Sequence, residues 1–288
     1  MKGEVATIVE NAIGEVYSRE SRVLKLAKPT LPIYIEYPST RGNTRLELLA
    51  TNIRDFSTLD YLSVADLACF AEILAEVVKT YGPSKLRIGP GSISKLDVVL
   101  TGLRRACNNY FWDLRVAFPE PMASAVRLNQ KLPESYRRAL KKHEGLGYLI
   151  EKTMQIPEGL EVIHKRKWGE NRDGNFFRFL RRLAEERVAI DHCLYSPDSQ
   201  LVGAQLDILL EDRTLFYYCA ADTASHPGAG NAILALSLEA HRERMLSQPD
   251  LAYSFGRGSE LYKYRIANQC RLAYEIIGFF KNDCKTSY

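Results

Sequence analysis

The stretch from Ala189 to Gly230 constrains the fold more than any other part of the chain. Three segments rich in β-formers, AIDHCLYS, LVGAQLDILLE and TLFYYCAAD, follow one another across the short turns PDSQ and DRT. Such segments, joined by turn residues, predict consecutive antiparallel strands. The third leads at once into Ser225-His226-Pro227-Gly228-Ala229-Gly230 and then into the long apolar stretch NAILALSLEAHRERM, which predicts a helix. A meander that delivers a glycine loop to a helix N-terminus fixes a sheet, a turn and a helix dipole in a set order.

The remaining sequence fills out an α/β (α+β) pattern. PIYIEY and LELLAT flank the turn-prone STRGN and predict a hairpin. Ser63 can cap SVADLACFAEILAEVVKTYG, whose helical spacing stops at Gly82 before Pro83. KLRIG predicts a strand, LDVVLTGLRRACN a helix and YFWDLRVAF a strand. Pro119 and Pro121 predict a joint between two domains, 1–120 and 121–288, after which SAVRLNQ predicts a short strand. PESYRRALKKHEG is a helix with Pro133 at its start; YLIEKT is strand-like; EGLEVIHKRKWG and FFRFLRRLAEERV are helical. After the long helix come the strand LAYSFG, the helix-like YKYRIANQCRLA and a last strand, EIIGFF. Each half is expected to be a mixed, mainly antiparallel sheet flanked by helices.

Composition narrows the function classes. With 288 residues, 46% of them hydrophobic, the chain can bury a substantial core. Its 39 basic and 35 acidic residues leave a net charge of +4, too weak a field to dictate a nucleic-acid partner. No apolar run approaches the roughly 18 residues of a membrane-spanning helix. Glu4 and Glu10 interrupt the stretch that a signal peptide would need, so a cytoplasmic location is expected. The cysteines (Cys69, Cys107, Cys193, Cys219, Cys270, Cys284) form no C-x-x-C pair, and the histidines (His143, His164, His192, His226, His241) show no H-E-x-x-H spacing, so no metal is expected. The absence of G-x-S-x-G argues against an α/β-hydrolase.

Two places can carry chemistry. Gly228 and Gly230 let backbone N–H groups face an anion at a helix N-terminus, which makes Ser225, His226, Gly228, Ala229 and Gly230 candidate phosphate-binding residues. A tight strand-to-helix turn fixed by Pro227 accounts for the same residues. The loop is neither a Walker A nor a Rossmann motif. The second place is Phe255-Gly256-Arg257-Gly258-Ser259-Glu260-Leu261-Tyr262-Lys263-Tyr264-Arg265, where Glu260 beside Lys263 could act as a base or position an acceptor. An internal ion pair from Glu260 to Lys263 or Arg257, pinning the turn, is the alternative. Arg137, Arg138, Lys141, Lys142 and His143 form a basic helical face that could grip phosphate or could simply be solvated.

Ser225-x-x-Gly228-x-Gly230, following the third strand of a meander, resembles the Q/R-x-x-G-x-G/A loop of GNAT acyltransferases, with Ser225 replacing the first residue. The segment from Phe255 to Arg265 resembles the F-x-R-G-D-E-x-Y-K-Y-R segment of the CelD-like, FemAB-related acyltransferases of that superfold. Arg257, Gly258, Glu260, Tyr262, Lys263 and Tyr264 agree, whereas Ser259 and Leu261 depart. The helix from Arg137 to Lys142, then Arg166-Lys167-Trp168 and Phe176-Phe177, resemble further segments of the family, so the likeness runs over roughly residues 120 to 280; the first 120 residues match in element order and in the LPIYI strand.

The resemblance implies two GNAT-like halves, the first degenerate. It implies an acyl-CoA-dependent acyltransferase, needing no metal, that moves an acyl group to an amine or hydroxyl of a small-molecule or cell-envelope glycan-precursor acceptor by direct attack on the thioester. The acyl-CoA would lie between TLFYYCAAD and LAYSFG, with an oxyanion donor among the backbone amides of Cys219, Ala220 and Ala221. Glu260 would remove the proton, with Lys263 beside it, and Tyr217 or Tyr218 would protonate the thiolate; neighbours on a strand point oppositely, so only one of them is expected to face the reaction. Arg257, Tyr262, Trp168 and Arg137 would contact the acceptor. Two alternatives stay open: a FemAB-like transferase using aminoacyl-tRNA, and a GNAT-like binding protein without activity, for which Ser225 and Ser259 speak. A homodimer is left open.

Overall fold

The computed structural model describes residues 4–17, 23–26, 33–36, 45–48, 58–169, 174–258 and 260–281. The chain forms two compact units, Met1–Pro119 with Leu272–Tyr288, and Glu120–Arg271. In chain order the elements begin with α1 (Glu4–Tyr17), β1 (Val23–Leu26), β2 (Ile33–Glu36), β3 (Arg45–Leu48), α2 (Val64–Tyr81), β4 (Lys85–Gly91), α3 (Ile93–Ala106) and β5 (Tyr110–Ser124). They continue with α4 (Ala125–Leu128), α5 (Glu134–Gly145), β6 (Leu149–Thr153), α6 (Leu160–Trp168), α7 (Gly174–Glu185), β7 (Ala189–Tyr195), β8 (Leu201–Leu209) and β9 (Arg213–Ala221). The last are α8 (Ala229–Ser247), β10 (Ala252–Ser254), α9 (Leu261–Tyr264) and β11 (Gln269–Phe280).

In the first unit the hairpin strands β2 and β3 pair antiparallel, with β1 outside β2. β3 runs parallel to β4, and β4 is antiparallel to the returning β11. The helix expected after Ser63 starts there with a capping box: Asp66 N–H donates to Ser63 Oγ at 3.1 Å, and Ser63 N–H donates back to Asp66 Oδ2 at 3.3 Å. Its buried face, including Leu67, Phe70 and Leu74, packs on Leu86, Ile88 and Leu100 in one core.

The second unit holds the neighbours β5, β10, β9, β8, β7 and β6 in that order. The meander expected from Ala189 onward is β7, β8 and β9, all antiparallel. α5 and α8 pack on one another beneath one face of this sheet, and α6 and α7 cover the other.

Three expectations change. The prolines end no strand: β5 continues through Pro119 and Pro121 to Ser124, the division between the two units falls inside it at Pro119/Glu120, and Leu272–Tyr288 returns to the first unit. Pro121 serves the sheet through its carbonyl, which accepts from Phe255 N–H at 2.9 Å and needs no proline N–H. SAVRLNQ is the helical turn α4 rather than a strand, since Ser124 Oγ caps it by accepting from Arg127 N–H at 3.3 Å. Only the first turn of YKYRIANQCRLA is helical, and QCRLA opens β11, where Arg271 reaches the buried Glu120 at 2.7 Å.

Candidate active site

The site begins with a defect in β9. Leu206 faces Tyr218 and Asp207 faces Phe216, so Tyr217 is one residue too many and bulges. A bulge raises local twist and turns the strand away from its neighbour. β10 runs parallel to β9 only through Arg213, Thr214 and Leu215, and then the two separate while β9 continues to Ala221. Among the described residues no strand pairs with that edge of β9 beyond Leu215. A wedge thus opens beside Cys219, Ala220 and Ala221, with backbone amides along one wall. Its base is fastened by buried charge: Arg213 and Arg271 meet Glu120 at 3.0 and 2.7 Å, and Ser254 Oγ donates to Glu120 at 2.6 Å.

The bulge also decides where the tyrosines point. The expectation of opposite directions fails, because Tyr217 packs on Phe176 and Phe179 while Tyr218 packs on Phe176, Phe177, His164 and Trp168, all on the α6 and α7 side. Tyr218 OH shares a 2.9 Å hydrogen bond with His164 Nδ1. Trp168, 46% exposed, is the open wall of this aromatic box, and Lys167 Nζ stands 4.4 Å over its ring. Burial pushes the Cys219 thiol up to about 11, so at neutral pH it is a thiol rather than a nucleophile.

The glycine loop is built by its own backbone. Asp222 accepts from Ser225 N–H at 3.0 Å through its carboxylate and from His226 N–H at 3.1 Å through its carbonyl. The Ser225 N–H bond, with Arg166 3.6 Å away, holds the Asp222 carboxyl below its usual range. Gly228 has φ +93°, a left-handed conformation that favours glycine, and is the N-cap of α8. The first N–H groups of α8 have no intrahelical partner; that of Ala229 donates to His226 O at 3.1 Å and closes the loop, and that of Gly230 follows it. At Gly230 a methyl group would meet nothing nearer than Thr223 at 3.9 Å, so the protein's own packing does not demand a glycine there. Tyr148 OH bonds His226 Nδ1 at 2.8 Å, and His143 lies edge-on to Tyr148.

The charged turn folds onto itself. Lys263, 4% exposed, donates from Nζ to Arg257 O at 2.5 Å and pairs with Glu260 at 3.0 Å. Gly258, with φ +124°, leaves room for the Glu260 carboxylate, which a side chain at 258 would strike. Burial raises the Tyr262 phenol well above its usual range, with Cys219 and Glu260 adding, which sets Tyr262 within electrostatic reach of the wedge. Ser259 lies outside the described residues. Arg137 is not brought to the loop: it pairs with Glu134, donates to Leu132 O at 3.2 Å and lines a cavity of about 130 Å³ with Leu238. Leu238 lies roughly 13 Å along α8 from its first turn. Arg138 also binds Glu134, at 3.0 Å. The sequence reading missed Tyr148, His164 and Asp222, whose contacts join separate elements or lie within a turn of ordinary composition.

No family model and no curated protein matches the sequence. Solved structures match in fold. A conserved protein of unknown function from Bacteroides thetaiotaomicron VPI-5482 is similar with a TM-score of 0.62 at 11% identity, over 96% of this chain and 91% of that one. L-PGS from Bacillus licheniformis gives 0.60 at 11% identity, over 98% and 92%. FemX gives 0.60 at 10% identity, over 97% and 96%. At these identities the likeness establishes the fold alone, which this chain shares with L-PGS and FemX and which agrees with the one the sequence resemblance implied.

Proposed function

We propose that the chain is an acyltransferase that takes its acyl group from acyl-CoA and delivers it to an amine or hydroxyl of a small-molecule or cell-envelope glycan-precursor acceptor. The observation that carries this reading is the wedge between β9 and β10, with the loop from Asp222 to Gly228 leading to the N-terminus of α8 beside it. A pantetheine chain fits such a parted strand pair as an extra strand, and its pyrophosphate suits the start of α8 at the amide of Gly230, the Ala229 N–H being taken by His226 O. In this reading Ser225 and His226 flank the pyrophosphate. The two compact units are read as two GNAT-like halves, with the reaction in the second.

The acceptor atom attacks the thioester carbonyl and the C–S bond breaks. A backbone N–H among Cys219, Ala220 and Ala221 donates to the carbonyl oxygen as it gains charge. Tyr218, held by His164, gives its proton to the departing thiolate. Proton removal from the acceptor falls to Glu260, its exposed carboxylate oriented by Lys263, directly or through one water. Trp168, Tyr262 and Arg257 bind the acceptor, and Arg137, engaged elsewhere, has no part.

A second reading, a binding protein without turnover, is favoured by the closed Glu260–Lys263–Arg257 turn. The aminoacyl-tRNA reading loses support because Glu134 offsets Arg137 and Arg138 on the basic face. Calorimetric titration of acetyl-CoA and longer acyl-CoAs, followed by release of free CoA with amino-sugar acceptors, separates the readings. Binding with release is expected; binding without release under any acceptor favours the second reading, and no binding overturns both the donor and the site.

A further inference from the structure

On the α8 side of the sheet lies a cluster that the transfer reaction does not use. His192 on β7, Asp207 on β8 and His241 on α8 are 1%, 0% and 3% exposed. One ligand-capable atom from each lies within 4.8 Å of the others. Asp207 Oδ2 is 3.1 Å from His241 Nε2 and 3.6 Å from His192 Nδ1. Among the described residues its ionic partners are these two imidazoles. A buried carboxylate needs compensation by a cation or by hydrogen bonds.

His192 is the anomaly. Both of its ring nitrogens are buried without a hydrogen-bond partner. A buried imidazole left unpaired is costly, and native structures rarely tolerate one without a reason. Its 3.6 Å approach to Asp207 is too long for a hydrogen bond but suits two ligands of one ion, since ligands at about 2.05 Å in a tetrahedral shell stand about 3.3 Å apart.

The surrounding residues hold the carboxylate as an outer shell would. Tyr253 OH donates to Asp207 Oδ1 at 3.0 Å, Gln205 Nε2 donates to the same oxygen at 3.0 Å, and Ser237 Oγ donates to Oδ2. Gln205 Oε1, buried in the same place, has no partner either and is a neutral oxygen available to complete a coordination shell.

We propose that His192, Asp207 and His241 bind one divalent first-row transition ion of the zinc class, fastening α8 to β7 and β8. Two imidazoles and a carboxylate select that class over calcium or magnesium. The ion's place under the sheet makes its role structural, holding the helix whose first turn borders the loop. The inference is independent of the identity of the acyl donor.

The test uses the whole chain, stripped with a chelator and reloaded with Zn(II) or Co(II). One ion per chain by mass spectrometry, a rise in Tm on loading and visible d–d absorption of the Co(II) form are expected. His192→Leu and His241→Gln should each lose the ion and the Tm response. His192→Leu, which removes two unpaired nitrogens, should melt no lower than the metal-free wild type, and His241→Gln, which keeps a donor to Asp207, serves if the first variant fails to fold. A stripped wild type that takes up neither metal, or uptake undiminished in the variants, overturns the proposal.

Discussion

Replacing Gly230 with alanine separates packing from ligand binding at the loop. The added methyl group has Thr223 at 3.9 Å as its nearest neighbour, an ordinary contact, and the position lies in the first turn of α8. With no strain to offset it, the change removes the backbone freedom of glycine and stabilises the fold by about 0.5–1 kcal/mol. For a chain of this size that corresponds to a Tm higher by about 1–3 °C. If a pyrophosphate rests on the amide of Gly230, the same methyl group stands between them and affinity for acyl-CoA falls about tenfold or more, roughly 1.4 kcal/mol. Thermal melting and calorimetric titration of one variant read both effects. A higher Tm with unchanged affinity would refute the amide cradle, and a lower Tm would refute the packing at Gly230.

Three further outcomes follow from the geometry. Glu120→Ala removes the carboxylate 3.0 Å from the Arg213 guanidinium, which is 0% exposed, and should cost about 3 kcal/mol in urea unfolding; a loss under about 1 kcal/mol would show that the base of the wedge does not depend on Glu120. Asp222, whose folded-state pKa is lowered mainly by the Ser225 N–H bond, contributes stability present above the ordinary Asp value of about 3.9 and lost as pH falls through the folded value. The Tm difference between wild type and Asp222→Ala should therefore vanish in acid, and a difference that persists at the lowest pH would contradict the assignment. Tyr218→Phe should lower kcat about a hundredfold with acyl-CoA affinity unchanged; unaltered kcat would remove Tyr218 as the acid.

Local signals carried much of the fold. Ser63, Gly82 and the apolar period between them determine α2, because a capping box and a helical stripe are complete within the segment itself. The meander was legible for the same reason, since turn residues stand between segments of β-formers. The glycine loop announced itself through Gly228, whose left-handed φ few other residues adopt.

What the tertiary structure decided are the features that join distant parts of the chain. β5 passes its prolines because the carbonyl of Pro121 is met by Phe255 N–H, from the residue after β10, a fact absent from the local sequence. The bulge at Tyr217 turns both tyrosines to one side, and a bulge is a property of two paired strands rather than of the residue that bulges. The box around Tyr218 and the His192–Asp207–His241 cluster draw on helices and strands far apart in sequence, so no spacing rule could list them. Backbone preference acts between near neighbours and is written in the sequence, whereas side-chain constellations depend on which faces meet once the sheet and helices have packed.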